Sequence, residues 1–95
     1  MQMKVIYMLI SPSGRVYVGK SVQFGKRLSQ HRRRSRKKKT FLYNAVRKHG
    51  WKKFTKLVLE IFPYDVTKKH MSKRERYFIK KYRAFEREHG YNLTE

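Results

Sequence analysis

Ninety-five residues carry 26 lysines and arginines against 6 acidic residues, a formal net charge of +20, far beyond the roughly 2–8 units of a comfortably soluble small domain. Hydrophobic residues at 39% and aromatics at 15% suffice for one modest core, which excludes a disordered basic tail and points to a single domain over residues 1–95. The absence of cysteine excludes disulfides, thiol nucleophiles and thiolate zinc sites, and the charge calls for a polyanionic partner, nucleic acid before all others.

Lys4 to Ile10 (KVIYMLI) is rich in strand formers and apolar on both faces, as a central strand would be. Ser11-Pro12-Ser13-Gly14 is a turn signal, and Arg15 to Gly19 (RVYVG) alternates like a second strand. A three-residue loop of Pro12-Ser13-Gly14 sets Ser11 opposite Arg15, Leu9 opposite Tyr17 and Tyr7 opposite Gly19. Tyr7, Leu9, Tyr17 and Gly19 then share one face, with open space across from Tyr7 where glycine has no side chain. A two-residue loop would send the two tyrosines to opposite faces.

From Ser21, a possible N-cap, the spacing of Phe24, Arg27, Leu28 and His31 predicts a first helix. The block RRRSRKKK, Arg32 to Lys39, either frays the end of that helix or forms a loop. Thr40 caps a second helix with the stripe Leu42, Ala45, Val46 and His49, stopped by Gly50. Lys56 to Phe62 (KLVLEIF) reads as a third strand, with Glu60 turned away from Leu57, Leu59 and Ile61. A third helix runs from about Thr67 or from Ser72 through Tyr82 or as far as Glu88, and HGYNLTE closes the chain as an irregular tail. The order ββααβα is an α+β fold: a small three-stranded antiparallel sheet flanked by helices.

Three features stand out from this frame. Two tyrosines converge on one face of the hairpin. Arg27 and His31 lie one turn apart on the inward stripe of the first helix. Glu75 falls on the apolar stripe of the third, between Met71, Phe78, Ile79 and Tyr82. A buried carboxylate is costly unless a cation or a metal faces it. If the helix begins at Ser72, then Ser72-Lys73-Arg74-Glu75 is a capping box and Glu75 merely folds back on its own helix start. If it begins near Thr67, that explanation fails.

The motif VIY, then YVG with Tyr17 ten residues after Tyr7, followed by Arg27, His31, Glu75 and Asn92, resembles the GIY-YIG nuclease superfamily. The likeness spans essentially the whole chain and is nearest to the catalytic domains of intron-encoded homing endonucleases, which have a similar KHG element and terminal GYN. It implies a metal-dependent nuclease acting on DNA and leaving 5′-phosphate and 3′-hydroxyl ends. Tyr7 and Tyr17 would be the two motif tyrosines and Gly19 the motif glycine. Arg27 and His31 would be the helix arginine and histidine, Glu75 the single metal ligand and Asn92 the supporting asparagine. Two departures are Val5, where the first motif has glycine, and Lys39-Thr40, where some homing enzymes carry a polar residue or histidine.

On this reading Glu75 holds one Mg²⁺ or Mn²⁺ ion, and Arg27 forks onto a non-bridging phosphate oxygen. Tyr7 is the candidate base, with Arg27 or Lys20 favouring its phenolate. Tyr17 positions the water or shares the proton, and His31 assists. Arg15, Arg32, Arg33, Arg34, Arg36, Lys37, Lys38, Lys39, Lys48, Lys52 and Lys53 are candidates for backbone phosphates, which position DNA without reading its sequence. No Gly-rich phosphate cradle supports a nucleotide cofactor or a small anionic substrate. A monomer is expected. With no long apolar segment and no signal peptide in view, neither a membrane partner nor export is expected, and the protein is read as intracellular. The competing reading is a non-catalytic basic nucleic-acid-binding protein, for which the inward Glu75 would have no use.

Overall fold

The structure is a computed structural model and describes residues 3–92. Strands β1 (Lys4–Ile10), β2 (Val16–Ser21) and β3 (Thr55–Phe62) form an antiparallel sheet in the order β2-β1-β3. Helix α1 (Phe24–Arg34) and helix α2 (Phe41–His49) follow the hairpin, a single 3₁₀ turn at Trp51–Lys53 leads into β3, and α3 (Lys68–Lys81) follows it. The expected ββααβα order and α+β class hold.

The two-sided apolar character of β1 follows from its central position. Val5, Tyr7 and Leu9 pack with Leu42, Tyr43 and Val46 of α2, while Ile6 and Met8 pack with Met71, Phe78 and Ile79 of α3. The hairpin closes through Pro12-Ser13-Gly14: Ser11 N–H donates to the Arg15 carbonyl at 2.9 Å, and Gly14 takes a φ of 90°, which suits glycine. Tyr7 therefore faces Gly19 and Leu9 faces Tyr17, the register that puts both tyrosines on the α1–α2 face. Lys20, opposite Ile6, points to the α3 face.

Two expectations need correction, for the cap of α1 and the outward side of β3, and two open alternatives resolve, for the basic block and the start of α3. Helix α1 is not capped by Ser21; it starts after Gln23, and Ser21 Oγ instead accepts from Gln23 N–H in a tight turn. The basic block splits: Arg32 to Arg34 continue α1, where cations suit the C-terminal end of the helix dipole, and the remainder is loop. The third strand is an edge strand with an irregularity opposite Ile6 and Tyr7. Glu60 consequently faces α3 and meets Arg74 at 2.7 Å, while Ile61 is left 63% exposed. Helix α3 is capped by Thr67, whose side chain accepts from His70 N–H, and it stops at Lys81, well short of Glu88.

The tail is less irregular than its composition suggests. Gly90 bridges Val16 in parallel, His89 and Tyr91 exchange backbone hydrogen bonds with Val16, and the outer edge of β2 is thereby covered. Residues 93–95 of the expected tail lie outside the described residues.

Gly19 is the tightest point of the hairpin. A Cβ placed there would stand 2.5 Å from the Tyr7 hydroxyl and 2.6 Å from its ring. Gly19→Ala should destabilise the fold by about 1–3 kcal/mol, the usual range for overpacking, read as a lower urea midpoint. An unchanged midpoint would contradict the close approach.

Candidate active site

The β1–β2 register delivers Tyr7 to α1. Tyr7 is 1% exposed, and its hydroxyl lies 2.7 Å from Nε2 of His31, itself 3% exposed. His31 Nδ1 lies 2.8 Å from the hydroxyl of Tyr43 on α2. A buried phenol–imidazole–phenol chain thus links β1, α1 and α2. Tyr17 completes the cluster from β2, its ring 5.5 Å from the imidazole edge-on and 6.3 Å from Tyr7. Tyr17 is half-buried and so is the more accessible of the two motif tyrosines. Tyr43 was not legible as a site residue, because a phenol beside Leu42 in an apolar helix stripe has the signature of ordinary core packing.

On the other sheet face Lys20 reaches α3. Its ammonium donates to Ser72 Oγ at 2.7 Å and lies 3.8 Å from Glu75 Oε1. Ser72 sits one turn inside α3, which begins after Thr67, so Glu75 is not part of a capping box. The Glu75 side chain keeps 23% exposure. Among the described residues Arg27 makes no side-chain hydrogen bond or ion pair. It lines a hollow of about 400 Å³ together with Lys20, Ser21 and Val22 and with Lys68, Met71 and Ser72 of α3.

The electrostatics tie these groups together. Burial raises the pKa values of both Tyr7 and Tyr17, and the Arg27 charge opposes that rise in each. Burial first, then Arg27 and Arg34, lower His31 to about 4, so the imidazole is neutral at ordinary pH. Burial also raises Glu75, against the pull of Lys20, Arg76 and Arg27. The Arg27 guanidinium therefore acts on two phenols, one imidazole and one carboxylate at once. The expectation that cations would hold Tyr7 as phenolate is not met: desolvation outweighs them.

Among the described residues no three acidic or histidine side chains gather as a ready-made metal cage. A lone, partly exposed carboxylate with a hydroxyl one turn away fits a hard cation that keeps most of its waters. Glu75 is the residue that could hold such an ion.

Asn92 clamps β2 beside Tyr17: its Oδ1 accepts from Val18 N–H and its Nδ2 donates to the Val18 carbonyl, both at 2.8 Å. The basic candidates divide. Arg15 is engaged within the protein, donating to the Arg87 carbonyl at 3.0 Å and covering the Phe41 ring. Arg32, Arg33, Arg34, Arg36, Lys37, Lys38 and Lys39 are exposed, and most of them border a second hollow of about 450 Å³ at the end of α1. Lys48, Lys52 and Lys53 are exposed around the end of α2 and the 3₁₀ turn. Arg47, not singled out from the sequence, ties the loop down by donating to the carbonyls of Ser35 and Lys38.

Residues 3–92 match the GIY-YIG catalytic domain family. Two solved structures are similar in fold. One is the catalytic domain of intron endonuclease I-TevI as an E75A mutant, 28% identical with a TM-score of 0.82, covering 97% of this chain and 94% of that one. The other is the catalytic domain of the homing endonuclease I-TevI, 28% identical with a TM-score of 0.80, covering 97% and 99%. No curated protein matches the sequence.

His31 makes stability depend on pH with a definite sign. Its folded-state value of about 4 lies below the unfolded value of 6.5, so between these values the unfolded chain binds the extra proton. The surroundings offer the charges of Arg27 and Arg34 on α1, and the phenols of Tyr7, Tyr17 and Tyr43 from β1, β2 and α2. The contribution is complete above the unfolded value and is lost as pH falls toward the folded one, about 3 kcal/mol in all. Urea unfolding followed from neutral pH into this window should show that slope in wild type and a flatter one in His31→Gln.

Proposed function

The chain belongs to the GIY-YIG family, and from that premise we propose that it is a divalent-metal-dependent DNA endonuclease that hydrolyses a phosphodiester to a 5′-phosphate and a 3′-hydroxyl. The observation that carries this reading is the buried Tyr7–His31–Tyr43 hydrogen-bond chain with the Tyr17 ring against it, next to a hollow that Arg27 and Lys20 line together with Ser72. The I-TevI catalytic domains of similar fold are domains of an endonuclease by name, which supports the same activity here. The exposed arginines and lysines at the end of α1 supply the counter-charge for DNA phosphates.

Arg27, unpaired among the described residues, receives a non-bridging oxygen of the scissile phosphate and meets the charge that grows there during attack. Glu75 holds the Mg²⁺ or Mn²⁺ ion, and when bound the ion supplies Lewis-acid polarisation of the phosphate. The phenols divide the proton work by exposure. Tyr17, the accessible one, orients the attacking water. Tyr7 lies behind it with its hydroxyl on His31, so the water's proton passes through the phenols to the Nε2 lone pair as the new P–O bond forms and the bond to the 3′ oxygen breaks. The departing oxygen takes a proton from solvent. Since burial raises Tyr7 and lowers His31, no phenolate or imidazolium is stored beforehand, and the transfers run in concert with attack. Asn92 and Gly19 support the strand that carries Tyr17, and Lys20 holds Ser72 and lies beside Glu75 on the other face.

Plasmid incubated with Mg²⁺ should be nicked by the wild-type chain, and chelation should abolish nicking. Glu75→Gln and Arg27→Ala should each lose at least about 10²–10³-fold in rate, the range for removing one charge-stabilising group, with DNA binding by gel shift retained. Equal nicking by wild type and Glu75→Gln would overturn the reading.

A further inference from the structure

We propose that Tyr43 is the positioning residue of the site: its hydroxyl accepts Nδ1–H of His31 and thereby leaves Nε2 free to receive the proton of Tyr7. This deepens the nuclease reading and rests on it.

A neutral imidazole has one donor and one acceptor nitrogen, and whichever partner takes the N–H determines which nitrogen is basic. Here both partners are phenols, each able to donate or accept, at 2.7 Å on Nε2 and 2.8 Å on Nδ1. Their surroundings break the symmetry. Tyr7 is sealed at 1% exposure, so its hydroxyl proton needs an acceptor within the protein, and His31 Nε2 lies at 2.7 Å. Tyr43 is also buried, at 7% exposure, but unlike Tyr7 it lines a hollow of about 300 Å³ together with Tyr17, Thr40, Phe41 and Asn92. Its hydroxyl can give its own proton to water while accepting Nδ1–H. Only this arrangement points the basic nitrogen at Tyr7.

The arrangement also explains the placement of α2. Thr40 caps that helix by accepting from the backbone N–H of Tyr43 itself, so the residue that orients the imidazole is fixed at its backbone by the helix start. Leu42 and Val46 are buried in the same cluster as Tyr7 and hold the helix against β1. Tyr43 touches no reacting atom. It acts through His31.

The direct test is the ¹⁵N-coupled imidazole spectrum of His31 in the metal-free, DNA-free protein at neutral pH. The expected result is protonated Nδ1 and unprotonated Nε2 in wild type, with the preference weakened or reversed in Tyr43→Phe. That variant keeps the ring and the core packing, and a thermal melt checks its fold. Its plasmid-nicking kcat should fall by about 10–100-fold, the scale for removing a group that orients a histidine, with KM unchanged. Nε2–H in wild type, or a Tyr43→Phe spectrum and kcat identical to wild type, would overturn the assignment. A wild type that shows the Nδ1–H form but nicks no DNA would support the orientation while removing the nuclease reading beneath it.

Discussion

The contact on which the rest of the structure depends is the one between Tyr7 and the bare backbone of Gly19. Because no side chain stands at that position, the hydroxyl end of the phenol packs directly against the Gly19 backbone, and the hydroxyl reaches His31 of α1. The same contact holds the hairpin in register, since a slip of one residue would drive Tyr7 against a side chain and turn Tyr17 to the opposite face. Core packing and candidate chemistry therefore share one steric requirement. The hydroxyl at the end of that ring is the start of a buried polar chain, and it is fully hydrogen-bonded, which is the condition under which such a chain is tolerated in a core.

The excess of positive charge is distributed with few internal partners. Among the described residues Glu60 and Glu86 sit directly on Arg74 and Arg83, and Glu75 has Lys20 at the longer distance of 3.8 Å. Several cations are accommodated against aromatic rings, as with Lys56 over Trp51 and Arg74 over Tyr77. Others bind carbonyls, as Arg47 does in tying down the basic loop. Among the described residues, cations left without such partners lie at the end of α1, around the end of α2 and along the exposed side of α3, as with Lys68, Lys69, Lys73, Arg76 and Lys80.

Much of the fold was legible because local signals were unambiguous. Pro12-Ser13-Gly14 dictated a three-residue turn, which set the register, which in turn set the tyrosines on one face. The third helix shows where such signals fall short: Thr67 and Ser72 are both good caps, and only the packing of Met71 against the sheet selects the earlier one. For β3 the apolar letters promised burial, but strand order is a property of the assembled sheet, and an edge strand leaves Leu57, Val58 and Ile61 exposed. Tyr43 and Arg47 were illegible for a different reason: each matters through a partner more than ten positions away, and nothing near either one in the chain announces it.

The parallel bridge between Val16 and Gly90, with Asn92 gripping Val18, joins segments 74 residues apart. Closing a loop over that span carries an entropy cost that only the assembled sheet offsets. A partly synthesised or misfolded molecule would thus possess every motif residue of the hairpin yet lack the anchor that steadies the strand bearing Tyr17. The last residues of the described chain are therefore what fix the outer edge of β2, and the tyrosine it carries is steadied only once the two ends of the sequence have met.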